Sequence, residues 1–249
     1  MEGLRAVLVL AVESATETAA VAVADEEGVL GSLTVAGRRH TETIAPAIEA
    51  LCRRLGVALA DVEMVGVDIG PGLFTGLRVG VGTAQALAFA LEIPVVPAGS
   101  LEVLAHAVTL SGLAEGRLVV PVVDARRAEV FSGRFRPAPG GPVEVGSEAV
   151  SAPGELAAEL AALHEGPVLV GNGALRYRSL FADVAGATLA GPAYGSPPVT
   201  ALADLCVARA RAGRAVDGAA VMPRYLRQAD ARINWEQRIP PRPARAPTP

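Results

Sequence analysis

Three short apolar runs within the first 35 residues constrain this chain most. Residues 6–12, 18–24 and 29–35 are rich in Val, Ala and Leu, and the polar turn Asp25-Glu26-Glu27-Gly28 parts the last two. Segments of this length and composition, joined tightly, read as an antiparallel meander of three strands. A helical pattern follows over 41–55, where Ile44, Ile48, Leu51 and Leu55 share one face. Pro46 leaves two starts open: an N-cap at Thr43 with the proline in the first turn, or an earlier start with a kink. Strand 64–69, the turn Gly70-Pro71-Gly72, helix 75–91, strand 94–98 and helix 100–110 complete the order βββαβαβα. Ser100 is expected to cap the last of these helices, with Glu102 in its first turn. An opening meander excludes the strict βα alternation of a doubly wound dinucleotide fold.

A second half begins with a hairpin over 118–123 and 128–136, joined by Asp124-Ala125-Arg126-Arg127. Residues 137–142 are rich in Pro and Gly and read as a loop. Helix 155–163, strand 168–170 and helix 200–212 follow. Both halves have a strands-then-helix character, which suggests two related subdomains over 1–112 and 113–232. Residues 233–249, rich in Pro and Arg, are expected to form a disordered tail.

Composition removes several function classes. A hydrophobic share of 51% against 19% charged residues excludes disorder throughout the 249 residues. All 22 basic residues are Arg, so Schiff-base, Walker-type and general-base lysines are excluded. The three histidines, His40, His106 and His164, lack ligand spacing, and no metal site is expected. Cys52 and Cys206 form no CxxC pair, so a reducing cytoplasm is the expected location. The apolar stretch 79–91 is too short for the roughly 20 residues of a membrane span, and no membrane contact is expected. With a net charge of −4, contact with nucleic acid has to be local or made by a partner.

The segment from Gly70 to Gly80 carries the most chemistry. It lies between a strand and a helix, its glycines permit a tight turn, and Thr75 is placed to cap the helix and leave amides for an anion. The alternative is a turn kept tight for packing alone. Glu13, Ser14 and Thr16, between the first two strands, have the acid and hydroxyl content of a metal–phosphate turn, or of an ordinary hairpin. In the following helix Gly76, Gly80, Ala84 and Ala88 recur every four residues, so a neighbouring backbone can approach closely. That neighbour is either the helix over 43–55 or another subunit.

Order and spacing of several segments resemble the TsaB family, bacterial partner proteins in threonylcarbamoyladenosine formation on tRNA. The carrying residues are Val12-Glu13-Ser14-Ala15-Thr16-Glu17, His40 to Pro46, Gly70 to Gly80 and Ser100-Leu101-Glu102. Asp124-Ala125-Arg126, Glu129-Val130-Phe131 and Pro223 with Tyr225-Leu226-Arg227 complete the match, which runs from about Leu8 to Arg227. The resemblance implies an α/β actin-like ATPase (ribonuclease H-like) fold of two subdomains. It further implies a non-catalytic scaffold that binds and activates a TsaD-like catalytic subunit, with further complex members such as TsaE, a homodimer when alone, and tRNA met only through the complex. TsaD carries a metal-binding HxxxH whose positions here are Ser100 and Leu104, neither a metal ligand, so no catalytic residue is assigned. Glu13 stands where actin-like ATPases have Asp, Leu73 is TsaD-like, and the second half lacks a clear second phosphate loop. The expected nucleotide or anion contacts are Glu13, Ser14, Thr16, Gly70, Gly72 and Thr75, with no tightly bound cofactor and any ATP or ADP at the partner interface. The expected partner surface is Ile44, Ile48, Leu51, Gly76, Gly80, Ala84, Gln85 and Ala88. The competing reading is a small actin-like phosphotransferase or a glycoprotease-like enzyme.

Overall fold

The opening apolar runs form a meander: β1 (Val9–Glu13), β2 (Thr18–Asp25) and β3 (Gly28–Ala36) pair antiparallel in sequence, with Val9 opposite Ala24 and Ala20 opposite Thr34. These coordinates come from a computed structural model, and describe residues 7–37 and 40–227. Helix α1 (His40–Leu55) returns the chain to β4 (Met64–Asp68), which pairs parallel with β1. Helix α2 (Phe74–Leu91) leads to β5 (Val95–Ala98), parallel to β4. The resulting sheet has the order β3-β2-β1-β4-β5. Helix α3 (Ser100–Leu110) closes the first half.

The second half repeats this plan. Strands β6 (Val119–Arg126), β7 (Glu129–Arg136) and β8 (Val143–Ser151) form a second antiparallel meander. After α4 (Pro153–Ala162), β9 (Val168–Val170) adds parallel to β6. Two short helices, α5 (Asn172–Arg176) and α6 (Arg178–Phe181), then lead to β10 (Thr188–Leu189) and finally α7 (Val199–Arg211). The second order, β10-β9-β6-β7-β8, is the first order read from the other edge, with every parallel and antiparallel pairing preserved. The sequence reading missed β8, β10, α5 and α6. Strand β8 alternates half-buried and exposed residues with little apolar content, and β10 has only two residues.

Side-chain alternation along β1 decides which helices cover which face. Leu10 and Val12 point to a core with Ile44 and Leu51 of α1 and Val81 and Ala84 of α2. Val9 and Ala11 point the other way, to Leu202, Leu205 and Cys206 of α7. The second sheet is covered on one face by α4 to α6. Its other face packs on α3, through Leu101, Leu104 and Val108. Each half thus sends its last helix to the sheet of the other half. His106 Nε2 in α3 lies 2.7 Å from Asp204 Oδ2 in α7, between the exchanged helices. Two sheets of this order with exchanged helices are the actin-like ATPase fold.

One open alternative is decided and two local expectations are corrected. Helix α1 takes the earlier start, with Pro46 inside it. Gly99, not Ser100, is the N-cap of α3, and Leu73, not Thr75, is the N-cap of α2. By length and composition α2 is apolar enough to cross a membrane. Here it is docked on the first sheet, with Gly76, Leu77, Gly80, Val81, Ala84 and Ala88 buried. The tail over 233–249 lies outside the described residues.

Candidate functional site

The turn after β1 and the turn after β4 meet at the ends of two neighbouring parallel strands, where the fold brings its loops together. Their contact is closer than side chains allow. Leu73 N donates to Ala15 O at 2.7 Å, and a Cβ on Gly72 would lie 2.3 Å from the same carbonyl. Ser14 Oγ donates to Gly76 O at 2.9 Å, and a Cβ on Gly80 would lie 2.2 Å from that hydroxyl. Of the groups expected to cradle an anion, the Ser14 hydroxyl and the Gly72 turn are therefore engaged in closing the two turns on each other. The space left between this contact, Asp124 and Asn172 is about 10 Å³. That volume holds about one water molecule.

Two carboxyl groups lie beneath the contact. Glu13 ends β1 and Asp68 ends β4, and both are 0% exposed. Asp68 Oδ1 accepts from Gly70 N and from Ser100 Oγ, both at 2.7 Å. Glu13 Oε1 accepts from Ala15 N at 2.7 Å. Among the described residues Glu13 Oε2 and Asp68 Oδ2 have no further donor, yet the two carboxyls are within hydrogen-bonding reach of each other. Burial pushes both acids up, and the neighbouring Asp68 charge pushes Glu13 further. The chemistry is one proton shared by two carboxyls and held by Glu13, because two buried like charges at this distance cannot both ionise. Such a pair is a poor base for a phosphate, whose charge it opposes.

The structure thus redistributes the expected anion contacts. Glu13, Ser14 and Thr16 are buried, and Gly70 is turned inward with its amide on Asp68. Gly72 serves close approach to Ala15, and Thr75 sits exposed in the first turn of α2. Ser14, Gly70 and Gly72 are thus committed to internal contacts, while a larger cleft of about 630 Å³, lined among others by Glu17, Thr18, Asp124, Arg126, Asn172 and Arg176, opens beside them. Sequence reasoning missed Asp68 and Ser100; the available signal was an Asp closing the apolar run Met64-Val65-Gly66-Val67-Asp68.

The expected partner surface is corrected as well. Ile44, Ile48, Leu51, Ala84 and Ala88 belong to the first-half core, and Gly76 and Gly80 are buried against the β1–β2 turn. Gln85 is tied inward, its Nε2 donating to Val221 O at 3.0 Å and Gly218 O at 3.4 Å. The outward side of α2 carries a second small-residue stripe, Gly82, Ala86 and Ala90, two residues out of phase with the first, beside Phe89 at 88% exposure. Exposed residues of α1, among them Ala45, Pro46 and Glu49, lie on the solvent side of the neighbouring helix.

A C-terminal strap over 218–227 crosses between the halves. Arg224 N donates to Ile69 O at 2.6 Å, while its Nη1 lies 3.0 Å from Glu148 Oε1 on β8. Burial pushes Glu148 up to about 7, against the pull of Arg224. Tyr225 packs on Phe74 with ring centroids 5.3 Å apart, and Arg227 Nη1 donates to Ala125 O and Glu129 Oε2. The strap and the β6–β7 turn line an open cleft of about 390 Å³.

Known proteins of the same build are recognisable by sequence. The family model described as TsaD, tRNA N6-adenosine threonylcarbamoyltransferase, matches residues 12–235. The tRNA threonylcarbamoyladenosine biosynthesis protein TsaB of Bacillus subtilis is 29% identical over 238 residues, 91% of this chain and 97% of that protein. TsaB of Haemophilus influenzae is 38% identical over 122 residues, 49% of this chain and 51% of that protein. A Pseudomonas aeruginosa crystal structure, described as an uncharacterized protein with similarity to peptidase YEAZ, superposes with a TM-score of 0.79 at 30% identity. That superposition covers 89% of this chain and 100% of the other.

Proposed function

This chain belongs to the TsaB–TsaD family, and we propose that it takes part in tRNA threonylcarbamoyladenosine biosynthesis as a non-catalytic partner that binds and activates a TsaD-like catalytic chain. The observation that carries the non-catalytic reading is the closed cradle. The Leu73 and Gly70 amides and the Ser14 hydroxyl are spent internally, two carboxyls are buried beneath it, and the space within it is about 10 Å³. A triphosphate needs open donors and compensating positive charge; the buried carboxyls oppose it, and Arg126 is the one cation among the described residues lining that space. ATP or ADP is then met at the partner interface, and tRNA through the assembled complex.

The outward face of α1 and α2 suits the catalytic partner. Gly82 and Ala86 let another helix come close, and Phe89 supplies an exposed aromatic anchor of the kind that dominates interface energetics. A second copy of this chain takes the same face when the partner is absent, and TsaE joins the assembled pair. The test is ATP turnover by the purified chain, followed by threonylcarbamoyl transfer after addition of a TsaD-like chain. Turnover alone is expected to be negligible, and transfer by the TsaD-like chain to depend on this one. A turnover number of about 1 s⁻¹ or more by the isolated chain would overturn the scaffold reading.

A further inference from the structure

The cleft of about 390 Å³ beside the strap shares Asp124 and Arg126 with the closed cradle but is far larger and adds three further arginines. Four arginines, Arg126, Arg127, Arg224 and Arg227, line it, in a chain whose net charge is −4. Two of their counter-ions are set behind them. Asp124, 3.4 Å from Arg126, has a side chain 8% exposed, and Glu148, 3.0 Å from Arg224, one 2% exposed, while the two guanidinium side chains are 45% and 41% exposed. Arg126 Nη2 also lies 2.5 Å from Glu17 Oε1 and Arg227 Nη1 3.0 Å from Glu129 Oε2, carboxylates 49% and 39% exposed, so a phosphate at the mouth would compete with these two for their arginines, whereas Arg224 is held by a buried carboxylate. A guanidinium has five N–H donors, and Arg224 spends one of them on a described side chain.

The cleft also has an aromatic wall. Phe74 and Tyr225 pack together and remain 48% and 46% exposed. Arg78 lies 4.1 Å from the Phe74 ring centroid, so the wall is held from behind by a cation. Arg126, Arg127 and Ala128 all hold positive φ, at 65°, 54° and 57°. Left-handed backbone costs about 1–2 kcal/mol per residue for side chains of this kind, and strain of that sort gathers at functional sites. A volume in the range of small-ligand pockets, arginine forks and half-exposed rings together match a phosphate joined to a flat base.

We propose that this cleft is an RNA-contact site, with Arg126, Arg127, Arg224 and Arg227 taking phosphate oxygens and Phe74 and Tyr225 taking an unstacked base. Only the choice of tRNA as the RNA rests on the functional reading above. The test is fluorescence anisotropy of end-labelled unmodified tRNA titrated with the full chain, alone and assembled with a TsaD-like chain, across a salt series. AMP serves as the free-nucleotide probe. Tyr225→Ala and Phe74→Ala, at half-exposed positions, should each weaken tRNA binding about tenfold while melting temperature stays unchanged. Arg127→Gln should lower the slope of log affinity against log salt by about one. Wild-type affinity in all three folded variants overturns the site. AMP binding below about 0.1 mM without RNA binding makes the ligand a free nucleotide and overturns the RNA assignment. Failure to assemble with the TsaD-like chain counts against the functional reading, and the titrations of the chain alone then decide the cleft.

Discussion

Substituting Ala84 and Ala86 by arginine separates the inner face of α2 from the outer one. Ala84 is 0% exposed and packs in the first-half core with Val12, Ile44 and Val81. Arginine there adds side-chain volume to a packed core, at about 1–3 kcal/mol. It also buries a cation with no carboxylate in that cluster, a further cost of about 3–5 kcal/mol. The total, about 4–8 kcal/mol, is comparable to the whole stability of an ordinary domain. Ala84→Arg should therefore be largely unfolded rather than a folded protein that cannot pair. Ala86 is two residues on, exposed beside Gly82 and Phe89. Ala86→Arg should alter monomer stability by no more than about 0.5 kcal/mol. It should weaken pairing with a TsaD-like chain, or with a second copy, more than a hundredfold, because a closely packed interface has no room for the added side chain. Circular dichroism reads folding, and size-exclusion chromatography with light scattering reads pairing. A cooperatively folded Ala84→Arg protein, or an Ala86→Arg protein that pairs like wild type, refutes the division of faces.

Gly72→Ala should destabilise the chain by about 2–4 kcal/mol. Its Cβ would meet the Ala15 carbonyl at 2.3 Å, adding overpacking to the loss of the hydrogen bond from Leu73 N; a urea midpoint equal to wild type would show that the two turns part easily. Glu13→Gln should flatten the pH dependence of stability. The folded-state pKa of Glu13 is raised above its ordinary 4.5, so the native state keeps a proton that the unfolded chain releases. Wild-type stability from this source is then greatest below about pH 4.5 and falls as pH rises toward the folded value. Melting temperatures at pH 5 and pH 8 that differ equally in the two proteins would exclude a shared proton at this site.

The first half was legible because its strands and helices differ in period. The meander and the helix α2 follow from nearly continuous apolar strands of five and eight residues and from the four-residue recurrence of small residues along the 18 of α2. The second half was less so because its elements depend on tertiary partners. Strand β8 carries Glu144, Gly146 and Glu148 and has all nine of its residues half-buried or exposed, so little in Val143–Ser151 marks it as a strand without β7 beside it. The shared strands-then-helix character of the halves was legible, but their element-by-element correspondence was not, since α2 spans 18 residues while its counterpart position holds two helices of five and four. Small residues were read as a seam on α2, with either the helix over 43–55 or another subunit against it, and Ala84 and Ala88 pack in one core with Ile44 and Ile48 of that helix. A four-residue spacing states that something comes close, not what comes close, and here it is the Ser14 hydroxyl at Gly80 and the first sheet at Ala84.

The same reasoning applies to the turns that the sequence leaves open as a phosphate cradle or a contact kept tight for packing. Glycines, a Thr and an acid beside two strand ends are the residues an anion site uses, but they are also the residues that let two turns touch. What decides between these outcomes is long-range: Asp68 and Ser100 are 32 positions apart, and Ser14 and Gly76 are 62. Asp68 adds a second carboxyl beneath the turn, and Ser14 closes it. Positive charge is meanwhile gathered about the other cleft by Arg224 and Arg227, which reach it from the far end of the chain. In this chain two carboxyls are thus buried under the turns, and three of the four arginines of the neighbouring cleft lie away from them, an arrangement that supports the proposed reading of a partner that keeps the fold of an ATPase.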